Sequence, residues 1–327
     1  MILGIECTAH TFGVGVVLNG KVLSNVKDMY RPENGGIIPN ESAKHHNEVS
    51  EKIYLDALEN AGIKENKIRA IAVSNAPGLA PCLLAGLKFA KKKASELGVP
   101  LIPVNHCIAH LEIGQSVGAK DAVLLYASGA NTQIIAFTEG KYRVFGETLD
   151  SGIGNFIDTF GRHIGIAFPA GPELEKIARK GNYIELPYSI KGMDVSFSGM
   201  QTKMKQLYDK GIRKEDLAYS MQETAFAMLV EAAERAMAHT GKDELVLGGG
   251  VACNLRLQEM CKIMCAERNA KMFCPAKEFL VDNAGMIAYT GELMLKKGKN
   301  VKIELNDIGE LDIKPRERTD DVDVSWR

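Results

Sequence analysis

The chain opens as strand, turn, strand, tight turn, strand, and at Asp121 it opens that way again. In the first run, residues 2–6 and 12–18 are apolar and read as strands, and Asn19-Gly20 is a hairpin turn into a third strand at 22–26. In the second, an apolar strand at 123–126 ends in the small-residue turn Ser128-Gly129-Ala130-Asn131. Strands at 133–137 and 142–145 then flank Glu139-Gly140. Val16-Val17-Leu18-Asn19-Gly20-Lys21 has the same shape as Ala136-Phe137-Thr138-Glu139-Gly140-Lys141. Unrelated β-hairpins can also share this shape, so the pattern alone leaves chance and duplication both open. A duplication predicts two related lobes, residues 1–119 and 120–327, facing each other across a ligand cleft, with the last helix from about 283 packing back on the first lobe.

The segments between these openings set the fold class. After a Gly/Pro-rich loop at 31–39, a helical pattern runs from Asn40 to about Ala61, with Gly62 where a C-terminal cap belongs. A strand at 68–73, a Pro77-Gly78 turn, a helix at 81–97 and a strand at 100–104 follow, and the last leads straight into Asn105-His106. Strand–helix–strand alternation predicts an α/β fold with a partly parallel sheet. The second half is largely helical, and 221–239 is its clearest helix. A strand at 245–247 ends in Gly248-Gly249-Gly250, with a helix from about Ala252. Asp282-Asn283 precedes a last amphipathic helix, and the charged tail from about Asp312 is expected to be poorly ordered.

Composition narrows the class of protein. Apolar residues make up 46% and charged residues 25% of the 327, the proportions of a packed globular chain. No run approaches the roughly 20 apolar residues of a bilayer span, and the N-terminus reads as a strand rather than a secretory leader. The expectation is a soluble cytoplasmic protein with no membrane partner. Seven cysteines without a C-x-x-C pair fit neither a disulfide framework nor a zinc ribbon. Net charge is −1, whereas a chain that gripped nucleic acid unaided would be basic. Lysine clusters at Lys88, Lys91, Lys92 and Lys93, at Lys203 and Lys205, and at Lys296, Lys297 and Lys299 read as solvated helix faces.

His106-Cys107-Ile108-Ala109-His110 is the sharpest chemical feature. Residues four apart share one face of a helix, so both imidazoles can reach one ion. Alone, such a pair is more often capping or buried. Here it opens a helix directly after a buried strand, where α/β proteins place ligands. A zinc protease needs Glu after the first histidine as its base, and that position is Cys107. Two imidazoles leave a position for a carboxylate, and Asp282 is a candidate, although the sequence alone favours it as a helix cap. Glycine-rich stretches at 4–15, 128–131 and 248–250 could bring backbone N–H groups against a phosphate. None matches a P-loop or G-x-G-x-x-G. Asp158 and Glu175 could accept from ribose hydroxyls, though most helical carboxylates are simply solvated.

Taken together, the motifs resemble a known family. Gly4-Ile5-Glu6-Cys7-Thr8-Ala9-His10-Thr11, Asn105-His106-Cys107-Ile108-Ala109-His110, Ser128-Gly129-Ala130-Asn131-Thr132-Gln133, Ser196-Phe197-Ser198-Gly199, Gly248-Gly249-Gly250-Val251-Ala252-Cys253-Asn254 and Asp282-Asn283 come in the family's order. The chain is similar to the tRNA adenosine threonylcarbamoyltransferases, in the form that serves as catalytic subunit of the archaeal and eukaryotic KEOPS complex, once labelled O-sialoglycoprotein endopeptidases. The resemblance implies the two-lobed fold of actin, sugar kinases and heat-shock ATPases. It implies transfer of threonylcarbamoyl from threonylcarbamoyl-adenylate, made by a separate synthase, to the adenosine 3′ of the anticodon in tRNAs reading codons that begin with A. It implies His106, His110 and Asp282 as ligands of one divalent metal, iron first and zinc or magnesium as alternatives, with Tyr126 as a fourth contact. Tyr126, Ala127, Ser128, Gly129, Ala130, Asp158, Gly171, Glu175 and Asn254 match the contacts to the adenylate (the acyl-adenylate, ATP or AMP). His10, with Glu6 in the same first-lobe motif, matches the residues of transfer. The implied partners are tRNA and KEOPS-type subunits, among them a separate small kinase. Ala130 departs from the usual second glycine, Cys7 and Cys253 from the usual Gly and Ala, and Ala284-Gly285 reverses the usual order. The alternatives are a small-molecule kinase of the same fold and a non-catalytic ATP-binding scaffold subunit.

Overall fold

The computed structural model describes residues 1–32 and 36–327, so residues 33–35 of the expected Gly/Pro-rich loop lie outside the described residues. The chain divides into two compact units, one of residues 1–116, 139–142 and 282–327, the other of residues 117–138 and 143–281.

The first unit is built on a five-stranded sheet. Its strands are β1 (Ile2–Glu6), β2 (Thr11–Leu18), β3 (Lys21–Met29), β4 (Ala70–Ala76) and β5 (Leu101–Asn105), and their order across the sheet is β3-β2-β1-β4-β5. The first three pair antiparallel through tight turns, whereas β4 and β5 join parallel, since each is reached through a helix. Helix α1 (Pro39–Ala61) leads to β4 and ends on Gly62 at φ 65°, the left-handed cap that the glycine predicts. Helix α2 (Ala80–Leu97) leads to β5, and α3 (His106–Glu112) starts at once after it.

One face of this sheet, with Leu3, Ile5, Phe12, Val14, Ile71 and Val73, packs on Ile53, Tyr54 and Ala57 of α1 and Leu83, Leu87 and Ala90 of α2. Alternation turns Gly4 and Gly15, which are direct cross-strand partners, to the other face. There they meet a helix near the end of the chain, at Ala284, Gly285 and Ala288. A Cβ on Gly15 would lie 2.8 Å from the backbone nitrogen of Gly285. The glycines at 4–15 were expected in a phosphate-binding turn. Gly4 and Gly15 lie instead inside paired strands, and their missing side chains let a helix approach the sheet.

In the second unit β6 (Val123–Ala127), β7 (Thr132–Thr138) and β8 (Lys141–Glu147) form the expected meander. Helices α4 (Ile153–His163) and α5 (Gly171–Ala178), a small hairpin β9 (Ile190–Lys191) and β10 (Asp194–Val195), and helices α6 (Ser198–Asp209) and α7 (Lys214–Thr240) follow. The chain then returns as β11 (Glu244–Gly248), α8 (Leu255–Glu267), β12 (Lys271–Phe273) and the short α9 (Lys277–Leu280). The sheet order is β12-β11-β6-β7-β8, with β6–β7 antiparallel and β6–β11–β12 parallel. Read from the meander inward, this is the order of the first sheet, with the same strand directions. The repeat at Asp121 is therefore a repeat of topology and not only of hairpin shape. Leu125, Ile134 and Leu247 pack with Phe156, Phe160, Phe226 and Leu229 in its core. The helix expected from about Ala252 begins at Leu255, after a 3-10 turn at Gly250–Cys253, because Asn254 caps it with its own side chain.

The final helix, α10 (Ala284–Lys297), belongs to the first unit. Two expectations change beyond it. The tail from Asp312 is packed, not loose: Thr319 and Trp326 are buried, and Lys314 N–H donates to the Asn75 carbonyl at 2.9 Å. Its charge disguised this, because the anchoring residues are spaced too irregularly to read as an amphipathic element. Lys93 is not on a solvated face either. It is buried over the Tyr54 ring, 4.4 Å from its centroid, and paired with Glu51 and Glu96. Among the described residues no helix is long and apolar enough to cross a membrane.

Candidate functional site

The end of β5 delivers both histidines. Asn105 is the N-cap of α3, and its side chain accepts from the N–H groups of Cys107 (3.1 Å) and Ile108 (3.3 Å). The helix so started places His106 and His110 one turn apart, with ring centroids 4.8 Å from each other at 80°. Asp282 comes to them from the residue pair that starts α10. Asn283 takes the capping role the sequence favoured for Asp282, accepting from Met286 N–H at 2.9 Å. That leaves the Asp282 carboxylate to face the imidazoles. Its Oδ1 lies 3.3 Å from His106 Nε2 and 3.8 Å from His110 Nε2.

The donor set fits a metal ion. One ligand atom from each of the three residues can be chosen so that all lie within 4.8 Å of one another. Donors about 2 Å from one ion lie about 3 to 4 Å apart, a spacing that the two Asp282 contacts already have. His106 is further fixed from behind. Its Nδ1 lies 2.9 Å from Glu6 Oε2, while Thr8 N–H (2.8 Å) and Thr8 Oγ1–H (2.5 Å) donate to Glu6 Oε1. With Glu6 accepting at Nδ1, the Nε2 edge of His106 is turned towards Asp282. This is the carboxylate–histidine arrangement that orients metal-binding imidazoles. Glu6 is fully buried at the end of β1. It therefore acts by holding His106, a link that sequence reading did not find because Glu6 and His106 are a hundred residues apart.

The electrostatics agree. Burial lowers the pKa of His110, which favours the neutral imidazole a metal needs. Burial works against the charge of Asp282, but hydrogen bonding and attraction to His106, then His110 and His10, hold its carboxyl well below the usual range. His10, half-buried in the turn after β1, is thus within electrostatic reach of Asp282. Burial pushes the Cys107 thiol up to about 11, so it is no nucleophile near neutral pH.

The second unit gathers the other candidates. The turn Ser128–Asn131 at the end of β6 stands over the start of α4, with Gly154 N–H donating to Ser128 O and Asn155 N–H to Gly129 O, both at 3.0 Å. Gly249, at φ 91°, packs on Ala127, where any Cβ would strike the backbone. Ser128, Gly129 and Ala130 are at least partly exposed there, and Tyr126 just before them is buried. Asp158 on α4 accepts from Ala170 N–H at 2.7 Å, next to Gly171 at the start of α5. Glu175 accepts from Leu255 N–H at 3.1 Å, and Asn254 donates from Nδ2 to Gln222 Oε1 at 2.7 Å. Asp158, Glu175 and Asn254 therefore also shape the backbone around themselves, a role their residue types did not disclose.

The sequence pattern of tRNA N6-adenosine threonylcarbamoyltransferases matches residues 21–289. The chain belongs to this family. It is 53% identical over 326 residues to a curated family member of Thermococcus kodakarensis, covering 99% of each chain. It is also 49% identical over 331 residues to a probable bifunctional tRNA threonylcarbamoyladenosine biosynthesis protein of Methanosarcina mazei. That match covers 99% of this chain and 59% of the relative. The enzyme is thus a transferase that modifies tRNA. Among solved structures, HypF of Thermococcus kodakarensis aligns with a TM-score of 0.66 at 16% identity, over 90% of this chain and 48% of that one. The chain spans about half that protein's length, and the likeness concerns fold alone. It is the two-sheet α/β architecture of the actin, sugar-kinase and heat-shock-ATPase class.

Proposed function

We propose that the chain is the catalytic subunit of a KEOPS-type complex. It moves the threonylcarbamoyl group of threonylcarbamoyl-adenylate to the exocyclic amine of the adenosine 3′ of the anticodon, in tRNAs that read codons beginning with A. The observation that carries this reading beyond family membership is the convergence of His106, His110 and Asp282, with Glu6 fixing the first imidazole.

The donor is already activated, so the chain has to position and to stabilise charge rather than attack. His106, His110 and Asp282 would hold one divalent ion, with Tyr126 as a further contact; iron is the first candidate and zinc or magnesium the next. Such an ion supplies positive charge for the carbamoyl oxygen or for the phosphate of departing AMP. Backbone N–H groups of the 128–131 turn, with Tyr126 and Ala127 before it, would hold the adenylate phosphate. Asp158, Glu175 and Asn254, with Gly171 beside them, would hold its nucleoside. As the amine nitrogen bonds to the carbamoyl carbon, the bond from that carbon to the phosphate oxygen breaks and AMP leaves. His10 would take part in the transfer, as the group that accepts the proton the amine loses. Net charge of −1 gives the chain little grip on tRNA by itself, and partner subunits, including a separate small kinase, would supply the rest. Relatives named bifunctional biosynthesis proteins support such an association.

The test is a tRNA modification assay. The chain, a threonylcarbamoyl-adenylate synthase and the other subunits are mixed with unmodified tRNA, and nucleosides are read by mass spectrometry. Threonylcarbamoyladenosine is expected with the native chain and is lost with His106→Ala or His110→Ala. Full product from both variants would remove the metal centre from the reading.

A further inference from the structure

The last sixteen residues make contacts that the reaction does not explain. Asn75 Nδ2–H donates to Asp312 O at 3.1 Å, and Gly78 N–H to Pro315 O at 3.2 Å, which lays the segment across the end of β4. From there it follows α3 along its length. Asn105, the cap of α3, donates from Nδ2 to Glu317 Oε2 at 3.1 Å. Beyond that contact Thr319 is buried. At the far end of the helix Glu112 is fully buried, and Arg327 reaches its Oε1 with Nε at 2.9 Å and Nη2 at 2.8 Å. Tyr142 donates to the same oxygen, Gln115 donates to the other, and buried Trp326 donates from Nε1 to Tyr142 Oη at 3.3 Å.

We infer that residues 312–327 are a strap that sets the position of the metal-binding helix, with Arg327 as its end pin. This rests on reading His106, His110 and Asp282 as metal ligands. Helix α3 is only seven residues long and carries two of the three ligands. Two hydrogen-bonded turns cannot fix its orientation alone. The strap holds it at the cap and at the last turn, and the second hold is a charge-assisted pair on a fully buried carboxylate. Without Arg327 the Glu112 carboxylate is left buried without its cation, and it relaxes by moving towards solvent. Glu112 is two residues from His110, so that movement pulls the second imidazole away from the first. Arg327 is a positioning residue, since it touches neither ligand.

The test is cobalt(II) binding, followed by the visible absorption of the ion, with thermal unfolding measured alongside. Arg327→Ala should weaken cobalt binding by about tenfold or more, the range seen when groups that support metal ligands are removed. Arg327→Lys should recover part of the loss. The control is Ile308→Ala, which opens a cavity in the core beside α2 and lowers stability while leaving cobalt affinity at the native value. If Arg327→Ala does not fold, Arg327→Gln replaces it; it too leaves the Glu112 carboxylate without its cation, and the same weakening is expected. Native affinity in the folded Arg327 variants would overturn the inference. So would equal weakening by Ile308→Ala, which would make the effect one of stability. If the native chain and His106→Ala bind cobalt alike, it is the metal reading that fails, and the strap inference goes with it.

Discussion

Each sheet runs meander, then two parallel strands, yet the connections and strand ends differ. In the first unit one helix, α1, joins β3 to β4. In the second, α4 to α7 and a small hairpin lie between β8 and β11. The turn after β1 and the start of α3 offer side chains: Glu6, His10, His106 and His110. The turn after β6 and the start of α8 offer small residues, backbone N–H groups and the amide of Asn254. The strand directions put the ends of the parallel strands at one edge of each sheet, and α3 follows β5 while α8 follows β11, the counterpart of β4. What is placed on those ends is free to diverge, because turn residues carry little of the packing. On the function proposed above, one scaffold would supply ligands for a cation in one copy and a cradle for an anion in the other.

The sharpest way to break that comparison is to disable each side alone. Asp282→Asn should cut cobalt(II) affinity a hundredfold or more, by the scale of losing a ligand, and leave adenosine-nucleotide binding in place. Asn254→Ala should do the reverse in the same titration calorimetry. Loss of both activities in either variant would mean that the units do not divide the chemistry.

Overpacking gives the next effect. Gly15→Val should push α10 from the first sheet, costing about 3 kcal/mol in urea unfolding, and weaken cobalt binding too, since Asp282 leads into that helix. Gly249→Ala, strained at φ 91° and against Ala127, should cost a comparable amount but spare cobalt binding. A Gly249→Ala protein with weakened cobalt binding would contradict the separation.

A pH dependence should come from the first unit. Burial, then the neighbouring His45, holds the His46 imidazole down at about 4, below its unfolded value of 6.5. The unfolded chain therefore binds a proton more readily between these values. The stabilising contribution is whole above pH 6.5 and is lost as pH falls towards 4, up to about 3 kcal/mol. His46→Gln should flatten urea-unfolding stability across that window, and an unchanged slope would assign the acid loss elsewhere. The smallest effect belongs to the second unit. Asp150 accepts from the N–H groups of Phe197 and Ser198 and from the Ser196 hydroxyl. Burial raises its pKa, but these backbone donors outweigh that and leave it depressed. Asp150→Asn should cost about 1 kcal/mol, the size of a lost helix cap, read from the same unfolding curves.

Much of the fold was legible because its cues are local. Apolar runs with turn glycines marked the strands of both meanders, Gly62 closed α1 as its residue type requires, and the H-x-x-x-H spacing put two imidazoles on one helix face. The repeat at Asp121 showed through the hairpins, and the strand order of the two sheets then matched. The choice between Asp282 and Asn283 as helix cap was not legible. Both side chains can cap, and only the position of α3 decides which one is drawn away.

By itself, then, the sequence determined the α/β class, the paired meanders, the family and the placing of two imidazoles on one helix face, since each is carried by residues close in the chain or by a motif. Tertiary structure alone decided that Gly4 and Gly15 serve helix packing, that Glu6 holds His106 from behind, and that the charged tail is anchored along α3. Those three depend on partners between a hundred and nearly three hundred residues away. No local pattern encodes them, because the free energy that fixes them comes from burial and pairing that exist only once the chain has closed on itself.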